Sequence, residues 1–217
     1  QEKAKGSEMI QGSDEWKAAR LGKVTASRVA DVVAKTKSGW GASRANYMAE
    51  LIAERLTGVP AESYTNAAMA WGTEKEPEAR SAYEFRTDAT VEQIGFVDHP
   101  AIPMTGASPD GLVGDDGMVE IKCPNTATHL DTLLGQSVPD KYVVQMLWQM
   151  ACSGRKWCDF VSYDPRLPEA MRLFVQRLHR DDKRIAVLEM EVVTFLDELN
   201  HKLTVLRDRY MPERAAA

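Results

Sequence analysis

Apolar residues follow the period of an amphipathic helix from residue 14 to about residue 86. The predicted helices of this region cover residues 14–21, 28–35, 43–57 and 66–85. Gly22 ends the first helix, Ser27 caps the second, and the fourth is interrupted near Gly72. The glycine-rich residues 37–41 are predicted to form a loop.

Alternating apolar and polar residues replace the helical period in the middle of the chain, which indicates β-strands. The predicted strands cover residues 91–97, 105–113, 118–122, 157–163 and 172–178, and the first three are consecutive and antiparallel. A helix is predicted over residues 140–152, and residues 181–210 form one long helix or a broken pair. No internal repeat, low-complexity tract or linker divides the chain. We therefore predict one α/β domain over residues 13–217, after a tag or disordered N-terminus over residues 1–12.

The most informative segment lies within these strands, at Ser108-Pro109-Asp110-Gly111-Leu112 followed by Met118-Val119-Glu120-Ile121-Lys122-Cys123-Pro124. Side chains two apart on a strand share a face, so Glu120 and Lys122 point together while Ile121 points into the core. A glycine-rich turn folds Glu120 back beside Asp110. Two carboxylates with an ammonium group alongside can bind Mg²⁺ and activate water, which is the chemistry of a metal-dependent nuclease.

This spacing is common by itself, because an acidic residue two positions before a lysine also occurs at Glu15-Trp16-Lys17 and Asp181-Asp182-Lys183. The first of these has no upstream aspartate, and the second opens a predicted helix. On strand geometry alone, the Glu120 copy is equally compatible with a nuclease site and with a solvated hairpin that carries ordinary surface charges.

Three further polar residues each allow a structural and a functional interpretation. Thr73 and Glu76 have the spacing of a capping box, but Glu76 could also supply a further carboxylate to the metal site. Gln145 and Gln149 lie four apart in an apolar run and share one stripe of the predicted helix. Buried amides need partners, so these two either bond to backbone groups or face a polar site. Gln145 is the better candidate because it lies nearer the start of the helix.

Residues suited to binding an anion lie near the start of the chain. Arg20 can match a phosphate with two hydrogen bonds, and Thr25 and Ser27 lie at the start of a predicted helix, where free N–H groups attract anions. A helix cap and a surface arginine would explain the same residues. Trp40, close to Lys37 in the predicted loop, is the tryptophan best placed to contact DNA.

Composition narrows the class of protein. The 217 residues are 44% hydrophobic and 27% charged, as in ordinary globular proteins. No apolar run reaches the roughly 20 residues of a membrane span, and the polar start lacks a secretory signal. Three cysteines without a CxxC pair suit a reducing cytoplasm and argue against a disulfide framework, a zinc site or an iron–sulfur cluster. A net charge of −5 argues mildly against nucleic-acid binding but permits a localised basic channel.

Six short blocks carry a resemblance to a known family. They are Trp16-x-x-x-Arg20-Leu21-Gly22-x-x-Thr25-Ala26-Ser27, Ala70-Trp71-Gly72 with Glu76, Ser108-Pro109-Asp110-Gly111-Leu112, Glu120-Ile121-Lys122-Cys123-Pro124, Tyr142-x-x-Gln145, and Tyr163-Asp164-Pro165-Arg166. In this order they resemble the phage lambda exonuclease family, the YqaJ-type viral recombinases of the restriction-endonuclease-like superfamily. The resemblance implies a restriction-endonuclease-like core, in which helices flank a central mixed β-sheet.

The resemblance also implies roles for individual residues. The metal ligands would be Asp110, Glu120 and the main-chain carbonyl of Ile121, holding two Mg²⁺ ions for which Mn²⁺ can substitute. The catalytic set would be Lys122, Glu120, Asp110, Glu76 and Gln145, with Lys122 assisting the attacking water. The pocket for the 5′-phosphate would be Arg20, Thr25, Ser27 and Ser108. Met69 would be an apolar wedge that splays the terminal base pairs. The segment after Lys37 is shorter and less basic than in the lambda protein, so the DNA contacts of Lys37 and Trp40 depart from the family pattern.

The activity implied by the resemblance is degradation of the 5′-ended strand of linear double-stranded DNA to mononucleotides, which leaves a 3′ single strand. Family members form a homotrimeric ring around DNA and pass the 3′ strand to a single-strand annealing protein. A phage or prophage origin and action in the cytoplasm of a bacterial host follow from the same resemblance.

Two alternatives remain open. The first is an endonuclease or repair nuclease of the same superfamily, which would have no use for a 5′-phosphate pocket. The second is an inactive DNA-binding subunit, which would be free to lose an acidic residue or the lysine, whereas Glu76, Asp110, Glu120 and Lys122 are all present.

Overall fold

The computed structural model describes residues 9–61 and 67–211, which form seven α-helices and ten short strands. The helices are α1 (Asp14–Arg20), α2 (Val29–Val32), α3 (Ala42–Thr57), α4 (Ala67–Thr87), α5 (Thr126–Gly135), α6 (Asp140–Ser153) and α7 (Asp182–Tyr210). The strands are β1 (Val24–Thr25), β2 (Lys35–Thr36), β3 (Gly39–Trp40), β4 (Val91–Glu92), β5 (Val97–Asp98), β6 (Thr105–Ala107), β7 (Gly111–Val113), β8 (Gly117–Lys122), β9 (Trp157–Tyr163) and β10 (Leu173–His179).

The larger sheet has the strand order β10-β9-β8-β7-β4. Its central strand, β8, runs parallel to β9, with Glu120 opposite Phe160, and antiparallel to β7, with Val119 opposite Gly111. The sheet is therefore mixed, and helices pack on it. The predicted α/β fold with a central mixed sheet flanked by helices is confirmed.

A smaller sheet has the order β1-β6-β5. Its strands β1 and β6 are parallel, with Thr25 opposite Gly106, so the carboxyl ends of both strands lie at the same edge. The chain leaves β6 at Ala107 and enters β7 of the larger sheet at Gly111. Residues 108–110 therefore join the two sheets.

Both faces of β8 are covered, which explains why five of its six residues are buried. Met118 packs in one apolar cluster with residues of α6 and α7. Val119 and Ile121 point to the opposite face and pack with Tyr83 of α4. Because side chains alternate along a strand, Glu120 shares the face of Met118 and points toward α6.

Two predicted strands are divided in the structure. Residues 91–97 form β4 and β5, and residues 105–113 form β6 and β7. In both cases the two halves pair in different sheets. The end of a strand is therefore set by its pairing partner, which the local hydrophobic pattern does not contain. The strands predicted over residues 118–122, 157–163 and 172–178 agree with β8, β9 and β10 to within one residue.

The helix predictions for the first region are right in number, and α1 and α3 agree with them to within one residue, whereas the second and fourth helices differ. Helix α4 is continuous, so the predicted interruption near Gly72 is wrong, and residue 66 lies outside the described residues. The second helix is only the four residues of α2, because β2 pairs with β3 in a hairpin. That hairpin also replaces the loop predicted over residues 37–41.

Toward the end of the chain, α5 was not predicted at all. It begins after Asn125, whose side chain accepts a hydrogen bond from the Thr128 backbone N–H at 2.9 Å. Helix α7 is a single helix rather than a broken pair. No helix within the described residues is long and apolar enough to cross a membrane.

The N-terminal segment predicted as a tag or disordered spans residues 1–12, of which residues 1–8 lie outside the described part of the chain. Within the described part, Gln11 donates hydrogen bonds through Nε2 to the carbonyl oxygens of Ile94 (3.0 Å) and Pro109 (2.8 Å). These bonds link the start of the described chain to the connection between the two sheets.

Replacing Gly106 with alanine should lower the free energy of unfolding by about 1–3 kcal/mol, as overpacking does in well-packed cores. An added Cβ would lie 2.3 Å from Phe96 Cζ and 2.5 Å from the Val97 carbonyl oxygen, and the backbone atom cannot move aside. Urea unfolding measures the change. In the control Gly135→Ala, the Cβ would meet only Ser137 Oγ at 3.4 Å, so that variant should be as stable as the wild type or more stable. Equal effects of both changes would contradict the packing argument.

Candidate active site

Asp110, Glu120 and Lys122 meet where β7 begins and β8 ends. Asp110 directly precedes β7, and its Oδ2 accepts a hydrogen bond from the Ile121 backbone N–H at 2.7 Å. Glu120 is 1% exposed, and its Oε1 contacts the Lys122 ammonium group. The two-residue spacing on β8 thus puts the acid and the lysine on one face, beside the aspartate from the neighbouring strand.

Helix α6 supplies the remaining partners of Glu120. Gln145 Nε2 donates to Glu120 Oε1 at 2.7 Å, and Gln149 Nε2 donates to Oε2 at 2.6 Å. Both glutamines therefore face the polar site rather than backbone groups. The sequence favoured Gln145 over Gln149, whereas the structure places both against the same carboxylate.

The electrostatics of the site reflect an excess of buried negative charge. Burial raises the pKa of Asp110 well above its usual value, and the charges of Glu120 and Glu76 raise it further. Burial alone would lower the pKa of Lys122, but the carboxylates of Glu120 and Asp110 outweigh it and raise that pKa. A cation bound between the carboxylates would relieve their mutual repulsion.

The donor atoms here fit a hard divalent cation. Asp110 and Glu120 offer carboxylate oxygens, which Mg²⁺ prefers. The N–H and C=O of one strand residue point to the same side, so the Ile121 carbonyl faces the side on which Asp110 lies. Among the described residues, no group of three or more His, Cys, Asp or Glu side chains is arranged to hold a metal. A metal site would therefore rest on two carboxylates and a main-chain oxygen.

Glu76 lies near this centre but has a partner of its own. Its Oε1 contacts the Arg80 guanidinium, one helical turn later on α4. The capping-box interpretation is wrong, because Thr73 lies inside the continuous helix and its hydroxyl donates to the Met69 carbonyl at 3.2 Å. Glu76 is therefore a side chain of a helix interior, and its negative charge reaches Asp110.

A second polar cluster adjoins the carboxylates. Ser108 Oγ accepts hydrogen bonds from Arg20 Nη1 (3.1 Å) and Trp16 Nε1 (2.9 Å), and the Arg20 guanidinium lies 4.1 Å from the Trp16 ring centroid. Among the described residues, no carboxylate forms an ion pair with Arg20. Burial lowers the pKa of Arg20. A half-buried guanidinium that forms no ion pair is suited to bind an anionic ligand.

Thr25 and Ser27 lie beside this cluster, because β1 and β6 end at the same edge of the smaller sheet. The Thr25 and Ser27 hydroxyl oxygens are 3.4 Å apart. Ser27 does not cap a helix as predicted: it lies within a 3-10 turn, Ala26–Arg28, and neither that turn nor α2 has a side-chain cap hydrogen bond. The structure thus brings all four predicted phosphate-binding residues to one region.

The residues predicted to contact the DNA further away lie on other elements. Met69 is 51% exposed in the first turn of α4. Lys37 lies at the turn of the β2-β3 hairpin. Trp40 is 44% exposed, and Arg44 lies 4.2 Å from its ring centroid.

Two residues that contact the site, Arg80 and Trp16, were not predicted to do so from the sequence. Arg80 could have been found, since it follows Glu76 by four residues on a helix, where oppositely charged side chains pair. The hydrogen bond of Trp16 to Ser108 spans 92 residues of sequence, and no local signal announces it.

A further buried carboxylate, Asp164, fixes the chain just beyond Lys122. It is 0% exposed and accepts hydrogen bonds from Thr126 Oγ1 (2.7 Å), Arg166 Nε (2.7 Å) and Arg166 Nη2 (3.0 Å). Arg166 Nη2 also donates to the Pro124 carbonyl at 3.2 Å. Burial alone would raise the pKa of Asp164, but the hydrogen bonds from Arg166 and Thr126 lower it to about 2.

Comparisons with known proteins agree with this geometry. The sequence profile of the YqaJ-like viral recombinase domain matches residues 15–156. LHK-Exo, an alkaline exonuclease from Laribacter hongkongensis, is 55% identical over 91% of this chain and 97% of its own, with a TM-score of 0.85. The structure of LHK-Exo in complex with dAMP gives the same identity and coverage and a TM-score of 0.86. A phage-related exonuclease from Haemophilus somnus 129PT is 15% identical over 85% of this chain and 96% of its own, and its TM-score of 0.70 shows a shared fold. No curated protein matches the chain.

Replacing Asp164 with asparagine should lower the free energy of unfolding at pH 7 by about 1–2 kcal/mol, after allowance for solvent screening of the half-exposed Arg166. The pKa of Asp164 lies below its usual value of 3.8, so its stabilisation is present above that pH and is lost as the pH falls toward 2. Urea unfolding should therefore show a gap between wild type and variant that narrows from pH 5 to pH 3. A gap that is independent of pH would rule out the ionised carboxylate as its source.

Proposed function

Because the chain belongs to the YqaJ-like viral recombinase family, we propose that it is a Mg²⁺-dependent 5′-to-3′ exonuclease. Its substrate is linear double-stranded DNA. It degrades the 5′-phosphorylated strand to mononucleotides and leaves a 3′ single-stranded overhang for recombination by strand annealing.

The observation that carries this proposal is the short distance along the chain between two clusters. Ser108, which bonds to the half-buried Arg20, stands two residues before Asp110 of the carboxylate cluster. Two residues span at most about 7 Å between Cα atoms. A terminal phosphate bound at Arg20, Thr25, Ser27 and Ser108 would thus place the adjoining phosphodiester beside the carboxylates. The bound end of the strand would then determine which phosphodiester is cut, which favours an exonuclease over an endonuclease.

The metal ions would be bound by Asp110, Glu120 and the carbonyl oxygen of Ile121. Mg²⁺ is the expected metal, with two ions at the site, and Mn²⁺ can substitute. When bound, such ions polarise the phosphate and lower the pKa of a bound water. The excess negative charge around Asp110 supports a cation at this position.

The neighbouring side chains position the reactants. Lys122 would hold the attacking water through Nζ, and Gln145 would keep the Glu120 carboxylate oriented through its hydrogen bond to Oε1. Glu76, paired with Arg80, would add negative charge next to Asp110.

The DNA duplex would be engaged by residues outside the catalytic centre. Met69, exposed on the first turn of α4, would act as the wedge between the terminal base pairs. Lys37 and Trp40 of the hairpin would lie along the DNA track. The dAMP complex of LHK-Exo supports a nucleotide-sized product, because dAMP is a deoxynucleotide monomer.

The proposed assembly is a homotrimeric ring that encloses the DNA. Residues 13–217 would form one nuclease domain in each subunit. An acidic exterior with a basic lumen is compatible with the net charge of −5. The 3′ strand would pass to a single-strand annealing protein in the cytoplasm of a bacterial host, consistent with a phage or prophage origin.

Three duplexes of identical sequence test the reaction: one linear with 5′-phosphates, one linear with 5′-hydroxyls and one circular. With Mg²⁺, mononucleotides should be released fast from the first, slowly from the second and not from the third, because only the first fills the anion pocket. A chelator such as EDTA should stop the release. Chromatography of the acid-soluble products measures it.

A pair of arginine-to-glutamine variants tests the anion pocket, one at Arg20 and a control at Arg86. Arg20→Gln should remove the preference for the 5′-phosphate, whereas Arg86→Gln, at an exposed position on α4, should retain it. Equal cutting of all three duplexes by the wild type would indicate an endonuclease. Retained DNA binding without cutting would indicate an inactive subunit.

Replacing Lys122 with alanine should lower the turnover number about 100-fold or more, which is the usual contribution of a group that assists proton transfer. Mg²⁺ binding and DNA binding should persist, because Asp110 and Glu120 remain. Single-turnover kinetics and calorimetric Mg²⁺ titration separate these effects. Lys156→Ala, at an exposed lysine paired with Asp116, serves as the control and should cut normally. Full activity of Lys122→Ala would refute the role assigned to the lysine.

A further inference from the structure

Gln149 contacts the site from a position that no substrate can reach. Its side chain is 0% exposed on α6, and its Nε2 donates to Glu120 Oε2 at 2.6 Å. Gln145 and Lys122 both contact the other oxygen, Oε1. Among the described residues, Gln149 is thus the one hydrogen-bond donor found at Oε2.

We propose that Gln149 is a positioning residue that fixes the plane of the Glu120 carboxylate for metal binding. The last torsion of a glutamate side chain is broad, because rotation about an sp³–sp² bond has no sharp minima. The contacts of Gln145 and Lys122 at Oε1 restrain the position of that oxygen but leave the carboxylate free to turn about it. A second bond at Oε2, from the next turn of the same helix, removes that freedom.

The side-chain oxygen of Gln149 indicates that this residue positions Glu120 rather than merely filling the core. Gln149 Oε1 is buried and has no hydrogen-bond partner among the described residues. A buried acceptor without a partner destabilises the folded chain, so an amide here is a poor choice for packing alone. The neighbours of Gln149 on α6, Trp148 and Met150, are apolar and equally buried. The amide is best explained by the N–H that it delivers to Glu120.

The helix geometry makes the two glutamines act as a pair. Residues four apart lie on one face of a helix, so a rigid α6 presents both amides to the strand at a fixed separation. Glu120 in turn is held by its pairing in β8 opposite Phe160 of β9. Groups that orient a metal-binding residue typically change metal affinity or activity about 10- to 100-fold when they are removed.

The test rests on the proposed function and begins with Mg²⁺ binding in the absence of DNA. Gln149→Met keeps the length and the unbranched shape of the side chain but removes the N–H. Isothermal titration calorimetry should show a Mg²⁺ dissociation constant weakened about tenfold or more. The rise in melting temperature that Mg²⁺ produces should shrink accordingly. In kinetics, kcat should fall while the KM for DNA stays unchanged, because Gln149 does not touch DNA.

Two further variants make the result decisive. Gln149→Asn is one methylene shorter and withdraws the N–H from Glu120, so it should reproduce the loss even if Gln149→Met folds poorly. Met146→Leu, at a fully buried position of the same helix, controls for repacking and should bind Mg²⁺ as the wild type does. The proposal is overturned if Gln149→Met and Gln149→Asn lower stability equally with and without Mg²⁺ while Mg²⁺ affinity is unchanged. If the wild type neither binds Mg²⁺ nor degrades DNA, the proposed function fails. If the wild type does both and the Gln149 variants bind Mg²⁺ normally, only the role of Gln149 fails, so the two failures are distinguishable.

Discussion

A carboxylate buried in the middle of the central sheet is the constraint on which the rest of the structure depends. Glu120 lies on β8, between two strands and beneath α6, and an ionised group in that position is very unfavourable unless hydrogen bonds and opposite charge surround it. The protein meets this demand with three side chains from two elements. The strand supplies Lys122 two residues on, and the helix above supplies Gln145 and Gln149. The buried and otherwise apolar stretch of α6 must therefore present an amide pair to the sheet, which fixes the rotation of the helix about its axis.

Sequence reasoning succeeded where the decisive relation is local and failed where it is not. The shared face of Glu120 and Lys122 follows from the period of a strand, and the shared stripe of Gln145 and Gln149 follows from the period of a helix. The capping box at Thr73 was wrong because the same spacing also occurs inside a helix, and only the continuation of α4 distinguishes the two cases. The divided strands were missed because pairing with one sheet or the other decides where a strand ends. Arg20 and Ser108, which are hydrogen-bonded, lie 88 positions apart, so no window of sequence contains both, and the family resemblance alone predicted that they share a pocket.

The charges of the molecule show why a net charge says little about what a surface binds. Two other arginines already have carboxylate partners: Arg80 contacts Glu76, and Arg166 contacts Asp164. Their contribution to the field outside is small, because each is neutralised where it stands. Arg20 differs, since its hydrogen-bond partner is a neutral serine. A half-buried cation that forms no ion pair attracts an anion more specifically than several solvated cations do, because the surrounding protein screens its charge less than water does.

The connection at residues 108–110 has a consequence for the size of the product. Ser108 ends the segment that leaves the smaller sheet, and Asp110 begins the segment that enters the larger one, so each is held by a different sheet. In the proposed reaction the first grips the end of the strand and the second helps to cut it. Two peptide units separate Ser108 from Asp110, and the pairing of β6 and of β7 in their sheets holds this separation constant. The enzyme would then measure one nucleotide by its own backbone, whatever the sequence of the DNA.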